Sequence, residues 1–119
     1  MSITQITPEQ AKQWLDNEEA LLIDVREPAE HRHTAINNAH LVPLSNLDFD
    51  AALAQGKKVI VHCQKGMRGN KACEQLAQKH SDITFVNMAG GIESWQSAGY
   101  TVIKGQSNVL PLDRQVQII

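Results

Sequence analysis

Short apolar runs alternate with helix-period segments along most of the chain, and that rhythm predicts an α/β fold with a mostly parallel sheet. "ITQI" (3–6) reads as a first short strand. Thr7 then caps a helix, Pro8 fits its first position, and Gln10 is placed to complete a capping box. Ala11, Trp14 and Leu15 recur at i, i+3, i+4 and give that helix one apolar stripe. "ALLIDV" (20–25) is a continuous apolar run, as in a strand buried on both faces. "EPAEHRH" reads as a short helix, "INNA" as a turn, and "HLVPL" as a strand whose Pro43 argues for an end or edge. "DFDAALAQ" reads as a helix stopped by Gly56. "KKVIVHC" is the strongest strand, rich in β-branched residues, and "KACEQLAQKH" the strongest helix, opening about six residues beyond Cys63. "ITFVNM" is a strand, "AGG" a turn, "IESWQSAG" a helix ended by Gly99, and "YTVI" a last strand. The count is about five main strands with four or five helices.

Composition narrows the class. A chain of 119 residues fits one domain, here residues 1–104, followed by a tail or connector at 105–119. Hydrophobic residues make up 42% and charged residues 20%, which favours a folded core over disorder. Net charge is −2, and the cations are scattered without interleaved aromatics, so nucleic acid is set aside as a partner. The start, "MSITQITPEQ", has neither a cationic nor an apolar leader region, and no run is long enough to span a bilayer. A reducing cytoplasm is the expected compartment.

Two cysteines are present, Cys63 and Cys73. They are too few for a disulfide scaffold, and no CxxC pair offers a zinc site. Cys63 lies in "VHCQKGMRGN", between the strongest strand and the strongest helix. As a residue type it could be a small buried hydrophobe, a metal ligand, half of a disulfide or a nucleophile. Its position favours the last. Ligand sites of open α/β sheets gather at the carboxyl ends of strands, and a loop entering a helix presents free N–H groups and the positive end of a dipole. Lys65 and Arg68 add cations, and Gly66 and Gly69 let the backbone turn toward the sulfur. An exposed, ionised thiol ringed by amides is the expected arrangement. Cys73 sits inside the helix near Ala72, Leu76 and Ala77 and reads as packing, with a resolving thiol as the alternative. His31 and His33 are two apart, and no His–carboxylate set has ligand spacing, so no metal is expected. The histidines read as surface or packing residues, and Trp14 and Trp95 as core.

Taken in order, these segments resemble the single-domain rhodaneses, over roughly residues 4–103. "CQKGMR" (63–68) resembles their C-x-x-G-x-R loop. "LLIDVREPAEH" is similar to the D-V-R-x-x-x-E segment through Asp24, Arg26 and Glu30. "HLVPL" is similar to their I-N-I-P-L strand, and "AGGIESWQSAGYTV" to the closing signature through Gly90, Gly91, Trp95 and Gly99. Thr34-Ala35-Ile36 stands where the family usually has G-H-I, Asn37-Asn38 where Pro-Gly is usual, and Gly69 where Ser or Thr is frequent. Asn also tolerates a left-handed turn.

The resemblance implies a rhodanese-like sheet with helices on both faces, and a sulfurtransferase that works through a persulfide on Cys63 without a separate cofactor. It implies a small anionic donor such as thiosulfate and a thiol or cyanide acceptor. Gln64, Lys65, Gly66, Met67, Arg68 and Gly69 would bind the substrate, with Asp24 and Arg26 in support. Gln64 and Lys65 read equally as solvated loop residues, and Arg68 as a structural partner of Asp24 or Glu30. Two rival functions remain. One is a non-enzymatic sulfur carrier or redox-sensing thiol. The other is a cysteine phosphatase, although its loop usually has five residues between Cys and Arg rather than the four between Cys63 and Arg68. The ending "NVLPLDRQVQII" resembles the connector of rhodaneses joined to a membrane-spanning hairpin, which would place a longer natural chain at the inner face of a membrane. An extended arm packed on the domain or on a partner chain is the alternative.

Overall fold

The computed structural model describes residues 3–105. The chain forms strand β1 (Gln5–Ile6), helix α1 (Pro8–Asp16), β2 (Ala20–Asp24), α2 (Pro28–His33), β3 (Thr34–Ala35) and β4 (His40–Leu41). It continues with β5 (Lys58–His62), α3 (Met67–Lys79), β6 (Phe85–Met88), α4 (Gly91–Ser97) and β7 (Ile103–Lys104). Five strands make one parallel sheet in the order β1-β6-β5-β2-β4. β4 is an edge strand, as Pro43 just beyond it requires.

β5 lies at the centre and is apolar on both faces. Val59 and Val61 point to one side, against Ala72, Cys73 and Leu76 of α3 together with Phe49. Ile60 points to the other, with Ala11 of α1 and with Ile92 and Trp95 of α4. This period-two division is why a continuous apolar run signals a strand covered by helices on both sides. Thr7 Oγ1 accepts from the Gln10 N–H at 3.0 Å, so the predicted cap forms. Asn38 takes a φ of +68°, which gives the "INNA" turn its left-handed residue. Among the described residues no helix is long and apolar enough to cross a membrane. The tail expectation falls on residues 106–119, outside the described part.

Three sequence expectations change. "DFDAALAQ" forms only a 3-10 turn at Ala51–Leu53, because Asp50 caps Ala52 N–H while Gln55 and Gly56, with φ of +50° and +81°, reverse the chain. The final strand is not in the main sheet. Trp95 Nε1 donates to Thr101 O and Tyr100 packs on the Trp95 ring at 5.0 Å, so this segment covers the core. Only Ile103–Lys104 is extended, antiparallel to Thr34–Ala35 in a small separate ribbon. Finally, α3 starts at Met67, earlier than its apolar period predicts, so the Cys63 loop runs directly into its first turn.

Leu76 is fully buried where α3 meets the sheet. Replacing it with Ala should destabilise the domain by about 2–5 kcal/mol, read as a lower urea midpoint with unchanged slope. A loss below the error of the measurement would contradict this placement of α3.

Candidate active site

β5 ends at His62 and delivers Cys63 to the carboxyl edge of the sheet. Three residues beyond Cys63, Gly66 takes a φ of +119° and turns the chain into α3. A residue with a Cβ rarely adopts that angle. The result is a tight loop whose amides face inward. Cys63 Sγ accepts the Gly66 N–H at 3.0 Å and the Gly69 N–H at 3.2 Å, the second from the first turn of α3.

Cys63 is only 1% exposed, against the expectation of a thiol open at a pocket mouth. It shares a cluster with Val61, Ala72 and Cys73. The cause is the early start of α3, whose first turn closes over the sulfur. The two parts of the expectation therefore separate: the amides converge, and the side chain is covered. Cys73 is also fully buried, and burial, with the neighbouring Cys63 and Glu74, pushes its thiol up to about 12. That suits packing. Both cysteines are free thiols.

The loop is held from the side by α4. Ile92 N–H donates to Cys63 O at 2.8 Å and Glu93 N–H to Gln64 O at 3.2 Å. Such close approach requires Gly91, where an added Cβ would overlap Cys63 O and lie 2.5 Å from the Gln64 carbonyl carbon. Gly66 in turn abuts the backbone of Gly90. From β6, Asn87 Nδ2 donates to Gly66 O at 3.2 Å and to Gln5 Oε1 at 2.9 Å. Gly69 leaves room for Asn87 Oδ1, which a Cβ there would strike. The sequence reading missed Asn87 and Glu93. The Gly90-Gly91 pair was the available signal, since two glycines before a helix mark a close backbone approach.

A buried charge cluster lies beside the loop. Asp24 and Arg26 are both inaccessible to solvent. Arg26 Nε donates to Asp24 Oδ1 at 3.0 Å and Nη2 to Asp24 Oδ2 at 2.9 Å. Nη2 also donates to Thr34 O, and Nη1 to Gln64 Oε1 at 3.1 Å. Burial alone would raise the Asp24 carboxyl, but Arg26, His62 and His31 outweigh it and hold the group below its usual range. His31 Nδ1 lies 2.9 Å from Asp24 Oδ2, so this histidine is a member of the cluster and not merely a surface residue. His62 is fully buried, and burial pushes its imidazole down against the pull of Asp24. A neutral ring with Nδ1–H donating to Cys63 O at 3.1 Å fits that environment.

Gln64 is not a free loop residue. It bridges Arg26 and Glu93, to which its Nε2 donates at 3.1 Å. Arg68 pairs end-on with Glu30, Nη1 donating to Oε1 at 2.7 Å and Nη2 to Oε2 at 2.8 Å. Of the two carboxylates considered for Arg68, the structure pairs it with Glu30 and not with Asp24. Lys65 is exposed, and Met67 is 85% exposed at the start of α3. Backbone and side chains thus bring Cys63, Gln64, Gly66, Gly69, Asp24 and Arg26 into one unit, while Lys65 and Met67 form its outer rim.

Two outcomes follow from this geometry. Gly91 has a φ of +62°, so Gly91→Ala should cost at least about 1–3 kcal/mol from backbone strain, with the overlap on Cys63 O adding to it. A thermal melt at the wild-type midpoint would contradict the close packing of α4 on the loop. The Arg68 hydrogen bonds, against a smaller opposing burial effect, draw the Glu30 carboxyl down to about 2 from an ordinary 4.5. A lowered carboxylate stabilises the fold above its unfolded value, and this contribution is lost as pH falls from about 4.5 through about 2. Acid unfolding of Glu30→Gln should lack that component, and identical acid slopes in the two proteins would contradict it.

Comparison with known proteins places this arrangement. The rhodanese-like domain family model matches residues 7–98. The chain is 32% identical over 115 residues to an uncharacterized protein of Synechocystis, covering 96% of this chain and 64% of that protein. It thus spans a little under two thirds of that relative's length. It is 33% identical over 100 residues to thiosulfate sulfurtransferase GlpE of Actinobacillus succinogenes, covering 83% of this chain and 89% of GlpE. Its fold superposes on the crystal structure of a rhodanese-related protein from Thermoplasma volcanium with a TM-score of 0.73 and 31% identity, covering 84% of this chain and 97% of the other. With Cys63 cradled between β5 and α3 and a family match across most of its length, the chain belongs to the rhodanese-like domain family.

Proposed function

We propose that the protein is a sulfurtransferase that carries a sulfane sulfur on Cys63. The observation that carries this reading is the pair of amide N–H groups, from Gly66 and Gly69, aimed at Cys63 Sγ. Converging N–H donors in a low-dielectric site favour negative charge, whether on a thiolate or on the sulfur bound to it. The relatives named as sulfurtransferases support the class of reaction.

The Cys63 thiolate attacks the outer sulfur of thiosulfate, the sulfur–sulfur bond of the donor breaks, and sulfite leaves with the electron pair. A persulfide remains on Cys63. Cyanide or an acceptor thiolate then attacks the terminal sulfur, and the Cys63 thiolate returns. No net oxidant or reductant is needed, which suits two free thiols. Because Cys63 is only 1% exposed and lies under the first turn of α3, entry of the donor requires the loop around it to open. Gln64, fixed by Arg26 and Glu93, keeps the base of the loop in place during that movement. A phosphatase fits less well, because four residues separate Cys63 from Arg68 where its loop usually has five.

Cys63→Ser should lower thiosulfate:cyanide turnover by at least about a hundredfold. Its melting temperature should stay within about 4–8 °C of wild type, the shift that about 1 kcal/mol gives in a domain of this size. Turnover unchanged in the folded variant would rule out Cys63 as the sulfur carrier.

A further inference from the structure

We propose that Glu30 determines donor selectivity by occupying Arg68, so that a doubly charged donor reaches the guanidinium only by displacing the carboxylate. The inference rests on the sulfurtransferase reading and adds a specificity-determining residue to it.

Three cations surround the Cys63 loop, and the structure commits two of them. Arg26 is buried and held at all three guanidinium nitrogens, with Nε and Nη2 on Asp24, Nη2 also on Thr34 O, and Nη1 on Gln64. Both terminal nitrogens of Arg68 are on Glu30. Lys65 alone stands in solvent. Of these three cations a dianion such as thiosulfate therefore meets one that is not already paired, and Lys104 lines the cavity beside Glu30, Arg26 and Gln64.

Glu30 is not a wandering surface carboxylate. Its Oε1 also accepts the Glu27 N–H at 2.9 Å at the start of α2, which fixes the side chain from its own element. Bidentate Arg–carboxylate pairs held from both ends are stronger than ordinary surface pairs. The carboxyl remains ionised through the neutral range, since Arg68 draws it down to about 2. Competition with an incoming anion therefore does not relax near neutral pH. A donor with less charge, such as a monoanionic alkyl persulfide, does not need Arg68 and is not penalised by Glu30. The site is thereby biased toward persulfide donors and away from inorganic dianions.

Binding and turnover test this separately. On the unreactive Cys63→Ser protein, calorimetry measures thiosulfate affinity with Glu30 intact and with Glu30→Gln. The substitution keeps an oxygen for the Glu27 N–H and should tighten thiosulfate about fivefold to tenfold. In the reactive protein, Glu30→Gln should raise kcat/KM for thiosulfate relative to kcat/KM for a monoanionic alkyl persulfide by a similar factor. Repeating the binding in an Arg68→Gln background should abolish the gain, because the effect passes through Arg68. Unchanged or weaker thiosulfate binding in Glu30→Gln overturns the proposal, and so does an equal gain without Arg68. Loss of the wild-type reaction would instead overturn the sulfurtransferase reading, which the binding arm does not depend on.

Discussion

Two amide hydrogens directed at one buried sulfur are the constraint around which the rest of the site is arranged. Amides converge on a side chain only if the backbone is bent, and a bent backbone is stable only if something else holds it. Gly66 supplies the bend. α4 and Asn87 supply the hold, by hydrogen bonds to the carbonyls of Cys63, Gln64 and Gly66. Three glycines let these elements approach: Gly91 against the Cys63 carbonyl, Gly66 against Gly90, and Gly69 against Asn87. The closing segment of the domain, far from Cys63 in sequence, is in this sense part of its loop.

Charge is arranged around the sulfur in two tiers. The inner tier, Asp24 and Arg26, is buried and mutually satisfied, and it passes its order outward through Gln64 to Glu93. Burying an ion pair is expensive unless it is well hydrogen-bonded, and each guanidinium nitrogen of Arg26 finds a partner here among Asp24, Thr34 and Gln64. The outer tier, Glu30 and Arg68, is paired at 2.7 Å and about a third exposed, at 34% and 38%.

Much of this was legible along the chain. The parallel sheet followed from the apolar runs of β2 and β5, and the position of Cys63 from the strand–loop–helix order. Propensity failed where tertiary contacts decided the outcome. Residues 100–102 look like a strand, but the Trp95 ring and its Nε1–H claim them for the core. Cover of Cys63 was not legible, because the start of α3 lies in the polar, glycine-bearing stretch Met67–Gly69 and not in its apolar period. Asn87 was invisible for a similar reason: one polar residue within a strand carries no periodic signal until its neighbours are known. Arg68 had two carboxylates open to it in the sequence, Asp24 and Glu30, and the geometry pairs it with Glu30.

The central claim is that the amide cradle stabilises an additional sulfur on Cys63. The most direct test is the intact mass of the protein after brief exposure to thiosulfate, followed by peptide mapping. A gain of one sulfur atom confined to the peptide bearing Cys63, and removed by cyanide, is the expected result. No gain, or a gain carried by Cys73, would contradict the account.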